Sequence, residues 1–219
     1  MNFIKSRPFF FLPAILIQDF FSQDIIKEKV VGDWKSCLTE IRKNGVALAP
    51  ISMDPQFIND AKKDIDNLIT RSEKFGTDYR IFDIEKESHT INTSFSNNPE
   101  LTAITRAYVR SKPTLQTTLG AKLTYAPENL GSGQGWHRDS YTKQFKAMVY
   151  LSDVTLDTGP FEYVLGSHTY RHVFGSVMDN NDKNLRANNS RFEHSDVVEF
   201  CKKRSLERKV FDASAGAIV

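Results

Sequence analysis

The sequence predicts an α+β fold: helices in front, then a core built as a β-sandwich or jelly roll. Three observations carry that expectation. Two stretches before about residue 78 repeat apolar side chains at helical spacing. From about Tyr79 the segments shorten and turn residues separate them. Runs such as 145–151 and 161–165 have the length and composition of strands. A chain of 219 residues can bury a core of its own, so a single domain spanning 1–219 is expected, with about 1–78 helical and about 79–219 forming the β core.

The first helix is expected over 33–43. Trp34, Cys37, Leu38 and Ile41 form its apolar stripe, Asp33 is placed to cap it, and Asn44-Gly45 to stop it. Residues 46–50 then read as a short strand. A second helix is expected from about residue 55 to 75, capped by Asp54, with Pro55 in its first turn. Phe57, Ile58, Ala61, Ile65, Leu68 and Ile69 line its buried side. Residues 114–125 alternate in places and are rich in Thr, Leu and Tyr. A turn at Asp157-Thr158-Gly159-Pro160 separates the strand-like runs 145–151 and 161–165. Residues 180–189 are polar and unpatterned, as in a surface loop. Residues 210–211 and 217–219 read as strands about a turn at Ser214-Ala215-Gly216.

Composition excludes several classes of function. A net charge of +2 supplies no field suited to nucleic acid or an anionic membrane. Charged residues at 26% and hydrophobic ones at 40% are those of a globular chain. The most apolar stretch, 9–17, is interrupted by Pro13 and too short to span a bilayer. Lys5 and Arg7 precede it as in a signal peptide, but no small-residue cleavage site follows, so a packed N-terminal segment is the expectation. The two cysteines, Cys37 and Cys201, form no CxxC motif and no disulfide framework. They read as reduced thiols, and the protein as cytoplasmic.

Chemistry concentrates in Gly131-Ser132-Gly133-Gln134-Gly135-Trp136-His137-Arg138-Asp139-Ser140. On an extended segment His137 and Asp139 point to one face and Arg138 to the other. An imidazole beside a carboxylate is either a surface hydrogen bond or two ligands of a mixed N/O metal site. With one further His it makes the facial triad of non-haem iron oxygenases. On the following strand, Lys146, Met148 and Tyr150 share a face, and Lys146 or Tyr150 is placed to meet a carboxylate, unless that face is turned to solvent.

Two further motifs stand downstream: a strand ending Tyr150-Leu151-Ser152-Asp153, and Gly159-Pro160-Phe161 leading to Val164 and Gly166-Ser167-His168. In this order, Trp-His-x-Asp, Tyr-Leu-Ser-Asp and Gly-Pro-Phe-x-x-Val-x-Gly-Ser-His resemble the phytanoyl-CoA dioxygenase family. The likeness is clear from about 119 to 175 and looser elsewhere. It departs at Leu165, where the family usually has Pro. The resemblance implies a double-stranded β-helix, a cupin-like jelly roll, with Fe(II) and 2-oxoglutarate as cofactors. It makes His137 and Asp139 metal ligands, with Lys146, Tyr150 and Tyr125 as candidates for holding the cosubstrate. It also implies a small-molecule substrate and O2 as partners, and hydroxylation as the reaction, because related halogenases lack the carboxylate. His168 closes a turn that supports the sheet in the family. Ala215-Gly216-Ala217-Ile218-Val219 matches the start of the strand that leads to the family's distal His and carboxylate-binding Arg. Those two residues are therefore expected beyond Val219, and the 219 residues alone are expected to be incomplete and inactive. The rival expectations are a non-catalytic jelly-roll binding or scaffold protein of the same family, and a zinc or manganese cupin-like enzyme.

Overall fold

The computed structural model describes residues 30–75, 78–110, 117–123, 135–140, 143–181 and 191–219. The apolar segment 9–17, the loop 131–134, Tyr125 and all but the first two residues of the polar stretch 180–189 lie outside them.

Helix α1, Asp33–Asn44, forms as its stripe predicts and buries Cys37, Leu38 and Ile41. Its cap differs from the expectation. Gly32 occupies the capping position with φ 60°, and Asp33 sits in the first turn, where its charge meets the positive end of the helix dipole. Gly45 ends the helix in the left-handed region, its N–H donating to the Ile41 carbonyl at 2.8 Å. Helix α2, Pro55–Leu68, is capped by the Asp54 side chain, which accepts from the Phe57 N–H at 2.8 Å. It stops short of the expected residue 75. The Ser72 N–H and hydroxyl both donate to the Ile69 carbonyl, closing a 3₁₀ turn over Ile69–Arg71 and turning the chain into strand β1, Glu73–Phe75.

Strand β2, Asp78–Ile81, pairs antiparallel with β1. After short helical turns at Ile84–Lys86, His89–Ile91 and Asn92–Ser96 comes helix α3, Pro99–Val109, which the pattern of the sequence had not suggested, although Asn98-Pro99 is a start signal. The Asn98 side chain accepts from the N–H groups of Glu100 and Leu101. Strand β3, Gly120–Leu123, completes a three-stranded antiparallel sheet in the order β1-β2-β3, with Ile81 opposite Gly120 and Asp78 opposite Leu123. Strand β4, Phe161–Val164, is followed by helices α4, Tyr170–Asn181, and α5, His194–Arg204. Strand β5, Arg208–Phe211, pairs with β4 so that Phe161 faces Phe211. The division into a helical front and a β rear is thus corrected: α3, α4 and α5 all lie beyond residue 79. Helix α4 also takes the start of the stretch read as a polar loop.

The run 145–151 is extended rather than a full strand. It is held by a ladder to residues 213–219. Met148 exchanges two hydrogen bonds with Val219 at 2.9 Å, Tyr150 donates to the Ala217 carbonyl, and Val154 exchanges two with Ala213. The other edge of 216–218 is also used. Ala49 donates to the Ile218 carbonyl and Met53 to that of Gly216, both at 2.8 Å, so residues 46–50 contribute an edge contact rather than a strand. The described residues therefore contain two small antiparallel sheets and this bridged ribbon, and not the complete jelly roll that was expected.

Three apolar clusters hold the layers. Cys37, Leu38 and Ile41 of α1 meet Ile104, Ala107 and Tyr108 of α3, with Phe145 against them. Phe57, Ile58, Ala61 and Ile65 of α2 pack on Ile84 and Ile91, with Val149 and Leu151 at the margin. Val164 of β4 meets Val197 and Cys201 of α5, and Trp136 covers them. Both cysteines are free and buried, and burial together with Glu40 pushes the Cys37 thiol up to about 11.

Gly216 is the tightest point of the ribbon. It has φ 94°, and a Cβ there would stand 2.4 Å from the Met53 carbonyl oxygen. Gly159 has φ 77° with nothing within 4 Å of such a Cβ. Gly159→Ala is expected to cost about 1 kcal/mol of backbone strain, and Gly216→Ala clearly more, on the order of 2–3 kcal/mol, because carbonyl and methyl cannot both keep their places. Urea denaturation of both variants measures the difference; equal losses would contradict the steric argument.

Candidate metal centre

The segment that carries His137 is extended because it pairs with the chain entering α5. His137 bridges Arg191 antiparallel, and Phe192 donates to the Trp136 carbonyl at 2.9 Å. Alternation follows from that pairing. Trp136 turns inward onto Val164, Val197 and Cys201, and its indole N–H donates to His194 Nδ1 at 3.2 Å. The Arg138 guanidinium also turns inward, donating to the Ser167 carbonyl at 3.2 Å. His137 and Asp139 face outward together, His137 Nε2 standing 3.3 Å from Asp139 Oδ1.

Each of these two side chains is also held on its far atom. His137 Nδ1 donates to the Gly135 carbonyl at 2.9 Å, with Gly135 in the left-handed region at φ 83°. That bond leaves Nε2 as the atom facing Asp139. Asp139 Oδ2 accepts from Lys146 Nζ at 2.8 Å. The carboxylate is driven well below its usual pKa range, first by its hydrogen bond with His137 and then by Lys146. The same contact raises the His137 pKa, while partial burial and Arg191 oppose the rise. Nε2 and Oδ1 are the pair of atoms a cation would meet. Two donors 2.0–2.2 Å from one metal at adjacent positions stand about 3 Å apart, close to the spacing found. Among the described residues, no group of three or more His, Cys, Asp or Glu is placed to hold a metal ion.

Of the expected cosubstrate residues, Lys146 is brought to this pair. Tyr150 is engaged elsewhere: its buried hydroxyl donates to the Phe211 carbonyl at 2.8 Å and accepts from the Phe161 N–H at 3.3 Å. The expectation that Lys146, Met148 and Tyr150 share one face is corrected accordingly, since Lys146 and Met148 are exposed and Tyr150 is core. Tyr125 is outside the described residues. The sequence had not singled out the Gly135 carbonyl; the glycine in the loop before His137 was its only signal.

His168 serves the frame. Its Nε2–H donates to the Arg42 carbonyl at 3.2 Å, and the Gly166 N–H donates to the Asn44 carbonyl at 2.7 Å. The Gly-Ser-His turn thus satisfies carbonyls left open at the end of α1. Burial lowers the His168 pKa, which keeps the ring neutral in that role. Gly45 lies so close that a Cβ would fall 2.5 Å from His168 Nδ1 and 2.6 Å from Tyr163 Oη.

A helix-rich α+β chain with a His-x-Asp pair on an outward-facing extended segment defines a candidate mononuclear metal protein. The sequence profile of the phytanoyl-CoA dioxygenase family matches residues 41–198, most of the chain from within α1 into α5. The chain belongs to that family, and through it to the iron- and 2-oxoglutarate-dependent oxygenase superfamily. No curated protein and no solved structure gives a significant match. No described helix is long and apolar enough to cross a membrane.

The pKa shifts fix how the pair responds to pH. His137, raised on folding, contributes stability that is complete below the ordinary imidazole range and is lost as pH rises through its folded value. Asp139, depressed on folding, contributes stability that is complete above the ordinary carboxylate range and is lost on acidification. Both are partly exposed, so the effect on global stability is small. The local effect is measurable: in metal-free protein, NMR should show His137 titrating above an ordinary imidazole, and Asp139→Asn should bring the midpoint down. An unmoved midpoint would exclude the contact.

Proposed function

We propose that the protein is a 2-oxoglutarate-dependent hydroxylase of an as yet unidentified small organic substrate, with His137 and Asp139 as two of its iron ligands. One observation carries the reading: Nε2 of His137 and Oδ1 of Asp139 converge at 3.3 Å while their far atoms are anchored on Gly135 and Lys146. Anchoring of that kind fixes the tautomer of a ligand His and the rotamer of a ligand carboxylate. Membership of the family supports iron as the metal and 2-oxoglutarate as the cosubstrate. Iron bound there with 2-oxoglutarate would supply the O2-dependent oxidative decarboxylation that yields succinate and CO2.

This chain's own residues supply position and charge. The Gly135 carbonyl holds the Nδ1 proton, so the Nε2 lone pair is presented outward. Asp139 offers one oxygen toward the metal position and keeps the other on a cation. Lys146 is the cationic side chain at this pair that can meet the carboxylate of a bound dicarboxylate. Trp136, packed on the far side of the same segment, keeps the extended backbone from rotating the two ligands apart.

Full-length protein supplied with Fe(II), O2 and 2-oxoglutarate should form succinate, slowly without substrate. His137→Ala or Asp139→Ala should lower this by at least about 100-fold, the scale of losing a ligand rather than an outer partner. Undiminished succinate formation in either variant would contradict the ligand assignment. A full-length protein that retains no iron and turns over no 2-oxoglutarate would instead be a binding or scaffold member of the family.

A further inference from the structure

The alternation that exposes Lys146 has a consequence for the cation beside it. Phe145 and Val149, on the opposite side of the same run, are packed against two different apolar clusters. The backbone at Lys146 is thereby fixed while its side chain is 65% exposed and has water to move into. Its ammonium lies 2.8 Å from Asp139 Oδ2, on the carboxylate that also meets His137. The Asp139 carboxylate is the anionic group of the pair, and Lys146 is the lysine ammonium set directly against it.

We propose that Lys146 is a built-in counter-cation for the metal pair: it neutralises Asp139 when no metal ion is bound and gives way when a divalent cation enters. The proposal rests on the reading of His137 and Asp139 as ligands. Two positive centres on one carboxylate repel each other, so cation entry weakens the lysine contact, and the lysine contact weakens cation binding by the same amount. Release leaves the ammonium next to the newly filled position, where an incoming dicarboxylate needs a cation. The lysine thus keeps an empty site electrically quiet and links filling it to receiving an anionic cosubstrate.

Mn(II) is a suitable probe, because its binding to full-length protein is read directly by electron paramagnetic resonance without turnover. Lys146→Met should tighten Mn(II) binding about two- to fivefold, the range of an exposed ion pair that no longer has to be broken. Lys146→Arg, which keeps the charge, should bind like wild type. The gap between wild type and Lys146→Met should narrow as KCl is raised, because exposed charges are screened. Lys146→Gln serves in place of Lys146→Met if that variant does not fold. Unchanged or weaker Mn(II) binding in the neutral variants would overturn the counter-cation role and leave the lysine a support for the carboxylate's orientation. His137→Ala separates the two levels of the argument. If it binds Mn(II) as well as wild type, or if no form binds, the ligand assignment falls and this proposal with it. If it alone loses binding while Lys146→Met is unchanged, only the counter-cation role falls.

Discussion

The arrangement depends on one backbone constraint, the pairing of segment 216–219 along both of its edges. A segment whose Ile218 is almost completely buried must place its N–H and C=O groups on partners. Here they go to Ala49 and Met53 on one side and to Met148 and Tyr150 on the other. The helical unit of α1 and α2 is thereby tied to the extended run that carries Lys146. Gly216 is the residue that allows it, because any side chain would meet the Met53 carbonyl.

A second pairing, weaker in extent, sets the geometry of the candidate pair. Two backbone contacts, at Trp136 and His137, hold the site segment extended against the entrance to α5. Extension alone puts His137 and Asp139 on the same side and commits Trp136 and Arg138 to the interior. The two candidate ligands therefore need no hydrophobic environment of their own. They stand partly in water, and their mutual charge contacts, rather than burial, account for both pKa shifts.

Much of this was legible in the residues. The stripes of α1 and α2, the Asp54 cap and the Gly45 stop follow from periodicity and capping chemistry that act locally. The facing of His137 and Asp139 followed from a two-residue spacing once extension was assumed. What was not legible depended on contacts distant in sequence. Lys146 and Tyr150 look equivalent at a period of two, yet Tyr150 is drawn into the core by carbonyl and N–H groups of β5 and β4, more than ten residues away. Helices α4 and α5 carry weak apolar stripes; α5 is fixed by packing on Val164 of β4, and the two are joined by Asp179 of α4, which takes both Lys203 and Arg204 of α5. The second ribbon edge at Ala49 and Met53 could not be read from residues 46–50, because its partners lie more than 160 positions downstream.

The Gly-Ser-His turn has a bearing on how variants of this protein should be interpreted. It is among the most recognisable motifs in the chain, yet its histidine is spent on a helix carbonyl and wedged against a glycine that tolerates no side chain. A residue so placed imitates a functional residue in any screen that scores only output. Changing it lowers the amount of correctly assembled protein, and the lost signal is then credited to chemistry. Inheritance of the motif within a lineage would in the same way record a joint between two parts of the chain, not a step in a reaction.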